Sequence, residues 1–99
     1  MNIIRWHKDE LPDLKELRHE MEHEGYSVIE WSDAPGTVYG SHRHETDQSH
    51  WVISGELELK VEGETYHLHA GDRDFMPANT SHSAFVPGTK PVRYLIGVK

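Results

Sequence analysis

Gly36-Thr37-Val38-Tyr39-Gly40-Ser41-His42-Arg43-His44-Glu45-Thr46-Asp47-Gln48 is the stretch on which the reading of this chain turns. His42 and His44 are two apart, Gln48 follows shortly, and His82 comes well downstream. Side chains on a strand alternate between faces, so the pair is expected on one face. Two imidazoles from one strand, joined by donors from elsewhere, are the usual start of a divalent transition-metal site. The chain has no cysteine, so such an ion can be held only by imidazole, carboxylate or amide groups.

Outward from this stretch the hydrophobic pattern has period 2. Strands are expected over 26–31, 37–44, 48–54, 56–62, 65–70, 74–76, 81–86 and 92–98, separated by turns rich in Gly and Pro. The clearest is 56–62, where Leu57, Leu59 and Val61 alternate with Glu56, Glu58, Lys60 and Glu62. Gly63-Glu64 reads as a hairpin turn. Short strands joined this way indicate a sandwich or barrel. Before them, Met1–Trp6 reads as a short strand or arm. Residues 11–24 read as a helix, with Pro12 at its start, Asp13 and Glu16 near its N-terminus and Gly25 beyond its end. Its apolar residues Leu14, Leu17 and Met21 form one narrow stripe, as on a helix lying against a domain. The division is therefore an arm and helix over 1–25 and a β-domain over 26–99.

Ninety-nine residues with 35% apolar content allow one small core. A net charge of −7 argues against nucleic-acid phosphates or anionic lipids as partners, since both call for clustered Lys and Arg. There is no apolar run of membrane-spanning length and no basic start followed by an apolar stretch, so no membrane partner and a cytoplasmic location are the expectations.

The β-region resembles the cupin superfamily, whose fold is a small double-stranded β-helix, or jelly-roll barrel. The first motif of that family is Gly, five residues, His-x-His, three or four residues, Glu, six residues, Gly. Here it is met by Gly36, His42, His44, Gln48 and Gly55, with Gln in place of Glu. The second is Gly, five residues, Pro-x-Gly, two residues, His, three residues, Asn. Here it is met by Gly71, Pro77, Asn79, His82 and Val86, with Asn79 in place of Gly and Val86 in place of Asn. The resemblance runs from about Tyr26 to the C-terminus and implies an all-β fold, to which the sequence adds one N-terminal helix outside it, and a single divalent transition metal (Zn, Ni, Fe, Cu or Mn). Its implied ligands are His42, His44, Gln48 and His82. Small cupins that resemble sugar- and uronate-processing proteins also carry Gln at this place.

Gln48 offers a neutral carbonyl oxygen where a glutamate would bring a charge. An ion held by three imidazoles and an amide keeps its full formal charge and stays the stronger Lewis acid. Hard ions lose affinity, and Zn²⁺, Ni²⁺, Cu²⁺ or Fe²⁺ gain by comparison. Glu45 and Asp47 are rival carboxylates, which parity disfavours unless a bend intervenes. His50 shares parity with Gln48 and is expected near the metal as a general acid/base, or as a barrel histidine satisfied by a hydrogen bond. Tyr94 reads as core or as a pocket hydroxyl. Phe75, Met76, Phe85 and Trp51 read as packing residues, and Arg43 as outward-facing.

Two histidine pairs are decoys. His19-Glu20-Met21-Glu22-His23 matches the zinc-protease pattern, yet helical geometry puts both histidines opposite the apolar stripe. His67 and His69 alternate with Tyr66, Leu68 and Ala70, which are the better core residues. His7 has no partner in sequence.

The functional expectation is a metal-dependent enzyme on a small polar substrate (a sugar, uronate or keto acid), of isomerase, lyase or dioxygenase type. The alternative is a non-catalytic metal or metabolite sensor. A homodimer is expected, because so small a barrel leaves sheet edges to cover.

Overall fold

The computed structural model describes all 99 residues. Nine strands form two antiparallel sheets. The larger has the order β1 (Asn2–Ile4), β7 (Arg73–Phe75), β4 (Gln48–Ser54), β9 (Val92–Val98), β2 (Ser27–Asp33). The smaller has the order β3 (Val38–His42), β8 (His82–Phe85), β5 (Leu57–Val61), β6 (Glu64–Leu68). This is the all-β jelly roll that the sequence predicts, with one helix, α1 (Leu14–His23), on the outside. No helix is long and apolar enough to cross a membrane.

Alternation divides the apolar residues between two clusters. Inward residues Val52, Leu57, Leu59, Val61, Leu68, Met76, Val86, Val92 and Tyr94 pack between the sheets. Residues of opposite parity on the same strands, Trp51, Ile53 and Leu95, meet Leu17 and Met21 of α1 on the outer face. The helix begins later than the sequence suggests. Asp13 is its N-cap, accepting from Lys15 N at 2.9 Å and Glu16 N at 3.2 Å, so Pro12 stays outside. Gly97 of β9 lets the helix close in, since a Cβ there would stand 2.6 Å from Met21 Cε.

The N-terminal arm is part of the sheet. Asn2, Ile3 and Ile4 pair with Phe75, Asp74 and Arg73. Beyond β1, the Asp72 carboxylate anchors the chain by accepting from Trp6 N at 3.0 Å and Arg5 Nη1 at 2.9 Å.

Three local expectations need correction. The hairpin turn between β5 and β6 is Glu62-Gly63, one residue earlier than read, with φ of 50° and 82°. Positive φ at both central residues gives the twist that a two-residue hairpin needs. The strand at His42 ends there and does not reach His44. Phe85 is 38% exposed, because it stands on the outer face of the smaller sheet.

Met21 is fully buried at the helix–sheet contact. Met21→Ala is expected to lower unfolding free energy by about 2–5 kcal/mol, measured by urea denaturation. A change below about 0.5 kcal/mol, the range of ordinary surface substitutions, would show that the helix contributes little to holding the sheet.

Candidate metal centre

A cavity of about 300 Å³ opens between the inner faces of the sheets. One wall comes from β4 and β9, with Gln48, His50, Tyr94, Ile96 and Val98, and is continued by Ile29 and Trp31 of β2. The facing wall comes from Leu57, Leu59, Ala84, Tyr39, His42 and His82, with His44 beside them.

His42, His44 and His82 converge at one end. One ring nitrogen from each lies within 4.8 Å of the others. Ring centroids are 4.3 Å apart for His42 and His82, 4.9 Å for His42 and His44, and 5.2 Å for His44 and His82. His42 and His82 are cross-strand partners on β3 and β8, which explains their approach. His44 arrives differently from the sequence reading. It lies past the end of β3, in a loop held where Asn79 N donates to His44 O at 2.7 Å. Asn79 has φ of 62°, a left-handed turn that Asn tolerates where the motif has Gly.

The tautomers follow from the hydrogen bonds. His42 Nδ1–H donates to Gly40 O at 2.7 Å, and His82 Nδ1–H donates to Thr80 O at 2.9 Å. A carbonyl only accepts, so each ring carries a proton on Nδ1, and in the neutral ring the lone pair for an electrophile is on Nε2. Metal-bound histidines are oriented in the same way. Burial holds His44 below the ordinary 6.5, helped by the neighbouring charges of His42, His82 and His50. Burial also lowers His82, against the Thr80 hydrogen bond and with the charges of His42 and His50. A shared focus, fixed Nδ1 protons and the lowered affinity of His44 and His82 for a second proton fit a divalent transition metal. Gln48 lines the same cavity, and its backbone bridges to Met76. Glu45 and Asp47 stand outside the cluster, and Asp47 instead accepts from Ala78 N at 2.8 Å.

His50 lines the cavity and is nearly buried. Its Nδ1 lies 2.9 Å from Asp74 Oδ2, and its backbone N donates to Asp74 Oδ1 at 2.6 Å. Asp74 is fully buried and so acts as an orienting carboxylate, which leaves Nε2 as the free nitrogen of His50. Burial alone would lower the imidazole, but the Asp74 charge and hydrogen bond outweigh it and raise it above 6.5.

The far end holds residues that sequence reasoning missed. Asp33 accepts from Tyr39 Oη at 2.7 Å, Trp31 Nε1 at 3.1 Å and Tyr94 Oη at 2.8 Å. Tyr94 is thus both core and pocket hydroxyl. Plain alternation puts Tyr39 and His42, three apart, on opposite faces. A β-bulge between them, seen as a register shift against β8, brings both into the cavity. Nothing in the local pattern marks that bulge except Gly40. Asp74 was missed as well, although its place in a short strand between Met76 and the Gly71-Asp72 turn is a usable signal.

The remaining histidines stand apart. His7, His19, His23, His67 and His69 are exposed and belong to no metal-ligand cluster.

A family model described as "Cupin domain" matches residues 29–98. The chain is 36% identical over 59 residues to a quercetin 2,3-dioxygenase of Bacillus subtilis, covering 59% of this chain and 18% of that protein. Among solved structures it is similar to an uncharacterized protein with a double-stranded β-helix domain from Klebsiella pneumoniae, with TM-score 0.66 and 32% identity, covering 74% of this chain and 65% of that one. It is also similar to KdgF from a Halomonas species, with TM-score 0.65 and 27% identity, covering 74% of this chain and 68% of that one. The chain therefore spans less than a fifth of the dioxygenase and about two thirds of either solved protein.

In the metal-free chain, His50 is expected to titrate above 6.5 and His44 and His82 below it. Stability from the His50–Asp74 pair is then fully present below pH 6.5 and lost as pH rises through the raised value. His44 and His82 act oppositely, costing stability as pH falls through 6.5. Histidine-resolved NMR titration checks the order, and the reverse order would refute this assignment. Asp74→Ala leaves a buried imidazole without its partner and is expected to cost about 3–5 kcal/mol, read by denaturation at pH 6.

Proposed function

The chain belongs to the cupin family, and from that premise we propose that it is a metal-dependent enzyme acting on a small molecule with oxygen donors. The ligand set proposed is His42, His44, His82 and Gln48, with His50 as the proton-transferring residue. The observation that carries the reading is the orientation of His42 and His82. Each gives its Nδ1 proton to the carbonyl two residues upstream, and so presents Nε2 beside His44.

A divalent ion bound there supplies Lewis acidity to a substrate oxygen. The protein supplies the rest. Asp74 fixes the His50 ring through Nδ1, so that Nε2 takes a proton from a substrate carbon and returns it elsewhere. The apolar walls lower the local polarity, which strengthens each electrostatic contact inside. Gln48 adds no charge, so the donor set favours Zn²⁺, Ni²⁺, Cu²⁺ or Fe²⁺ over Mn²⁺. These features support isomerase or lyase chemistry. The similarity to a dioxygenase supports a second reading, in which the same histidines serve an oxygen-dependent reaction.

Metal analysis of untagged protein is expected to find about one transition-metal ion per chain. His42→Ala and His82→Ala should lose it while keeping the β circular-dichroism signature. Metal-free native protein after incubation with Zn²⁺ or Fe²⁺ would end the proposal. His50→Gln is expected to keep the metal and lower turnover about 10²–10⁴-fold. A panel of uronates, keto acids and catechols under air and under argon separates the two chemistries, since only the dioxygenase needs air. Full metal occupancy with no turnover on any substrate class would favour a sensor over an enzyme.

A further inference from the structure

The cavity is chemically two-ended, and apart from His50 its middle is hydrocarbon. The pairs Gln48–Val98, His50–Ile96 and Val52–Tyr94 step along β4 and β9 away from the imidazole end. From Gln48 to the level of Tyr94 is four residues, about 13 Å of strand at about 3.3 Å per residue. Between these ends the walls are Ile29, Ile96, Leu57, Leu59 and Ala84, interrupted by the His50 ring, whose centre lies 6.1 Å from that of Tyr94. A polyol lying there would turn most of its hydroxyls toward branched aliphatic carbon, with only the His50 ring to replace their water.

The far end reads hydrogen-bond polarity. Tyr94 Oη gives its proton to Asp33 Oδ2, and Tyr39 Oη gives its own to Asp33 Oδ1. Trp31 Nε1–H is shared between Asp33 Oδ1 and Tyr39 Oη, at 3.1 and 3.2 Å. Asp33 itself does not line the cavity. Every donor proton in the cluster is therefore committed, and the phenol oxygens of the cavity-lining Tyr39 and Tyr94 are left with lone pairs to offer. Tyr94 Oη receives no indole N–H, and the neighbouring Tyr39 hydroxyl has its own proton committed to Asp33.

The geometry points to Tyr94, held by Asp33, as a specificity-determining acceptor for the distal hydroxyl of a ligand whose body is apolar and whose other end carries oxygen donors for the imidazole site. This deepens the proposed function and rests on it for the proximal end alone. Tyr39 and Trp31 act through Asp33, as positioning residues that keep its carboxylate occupied.

Isothermal titration calorimetry tests this on the zinc-loaded and the metal-free chain, with phenylcatechol, its para-hydroxyphenyl and para-fluorophenyl counterparts, and galacturonate. The hydroxyphenyl compound is expected to bind about tenfold more tightly than the other two aryl catechols, the worth of one matched hydrogen bond. Galacturonate is expected to bind more weakly than all three. Tyr94→Phe should bring the hydroxyphenyl compound down to the level of phenylcatechol. Equal affinity of the hydroxyphenyl and fluorophenyl compounds overturns the inference, and this comparison needs no variant to fold. So does a preference that survives Tyr94→Phe, or galacturonate binding as tightly as phenylcatechol. Zinc content, measured on the same samples, reports separately on the metal reading, because the hydroxyl preference is a ratio taken at the opposite end and is read with or without zinc.

Discussion

A carboxylate sealed from water must find partners, and in this chain that requirement falls on Asp74. Its oxygens take the backbone N and the ring Nδ1 of His50, and its carbonyl takes the Ser49 hydroxyl at 2.6 Å. β7 is therefore pinned to β4 by side-chain bonds as well as by its short ladder. The adjacent residue, Arg73, turns to the opposite face. There its guanidinium meets Glu24 at 2.6 Å, donates to Ser49 Oγ at 2.8 Å, and lies 4.5 Å from the Trp51 and Phe75 ring centres. Two neighbouring charges thus join the helix side of the sheet to the cavity side. Alternation makes this possible, and pairing makes it affordable in a core this small.

The imidazole end follows a parallel logic. His42 and His82 face each other across β3 and β8, and each is steered by a carbonyl two residues upstream. The third imidazole is brought in by a loop, so its position depends on the Asn79–His44 hydrogen bond and not on strand geometry. No carboxylate joins the cluster, because Asp47 is engaged with the Ala78 amide. The cavity as a whole is a slot with three imidazoles at one end, two tyrosines at the other, and hydrocarbon between them broken by His50.

The fold was largely legible in the chain. Leu57, Leu59 and Val61 alternate with charged residues, and Gly and Pro turns mark most strand ends, so the sandwich could be read from periodicity. The positions of His42, Gln48 and His82 could be read from motif spacing. The helix was legible in its apolar stripe but not in its first turn, where Asp13 and Pro12 compete for the same end.

Some of the site was not legible, for one physical reason. Parity predicts facing only while a strand stays regular, and the bulge between Tyr39 and His42 breaks it. The sequence by itself determined the two-sheet class, the helix stripe and the residue types able to bind a metal, since those depend on local alternation and composition. Only the tertiary structure decided that His44 enters from a loop, that Asp74 orients His50, and that Asp33 commits two tyrosine protons. Each of those depends on residues far apart in the chain meeting across β3, β4, β7 and β9, and on burial that makes an unpaired polar group too costly to leave.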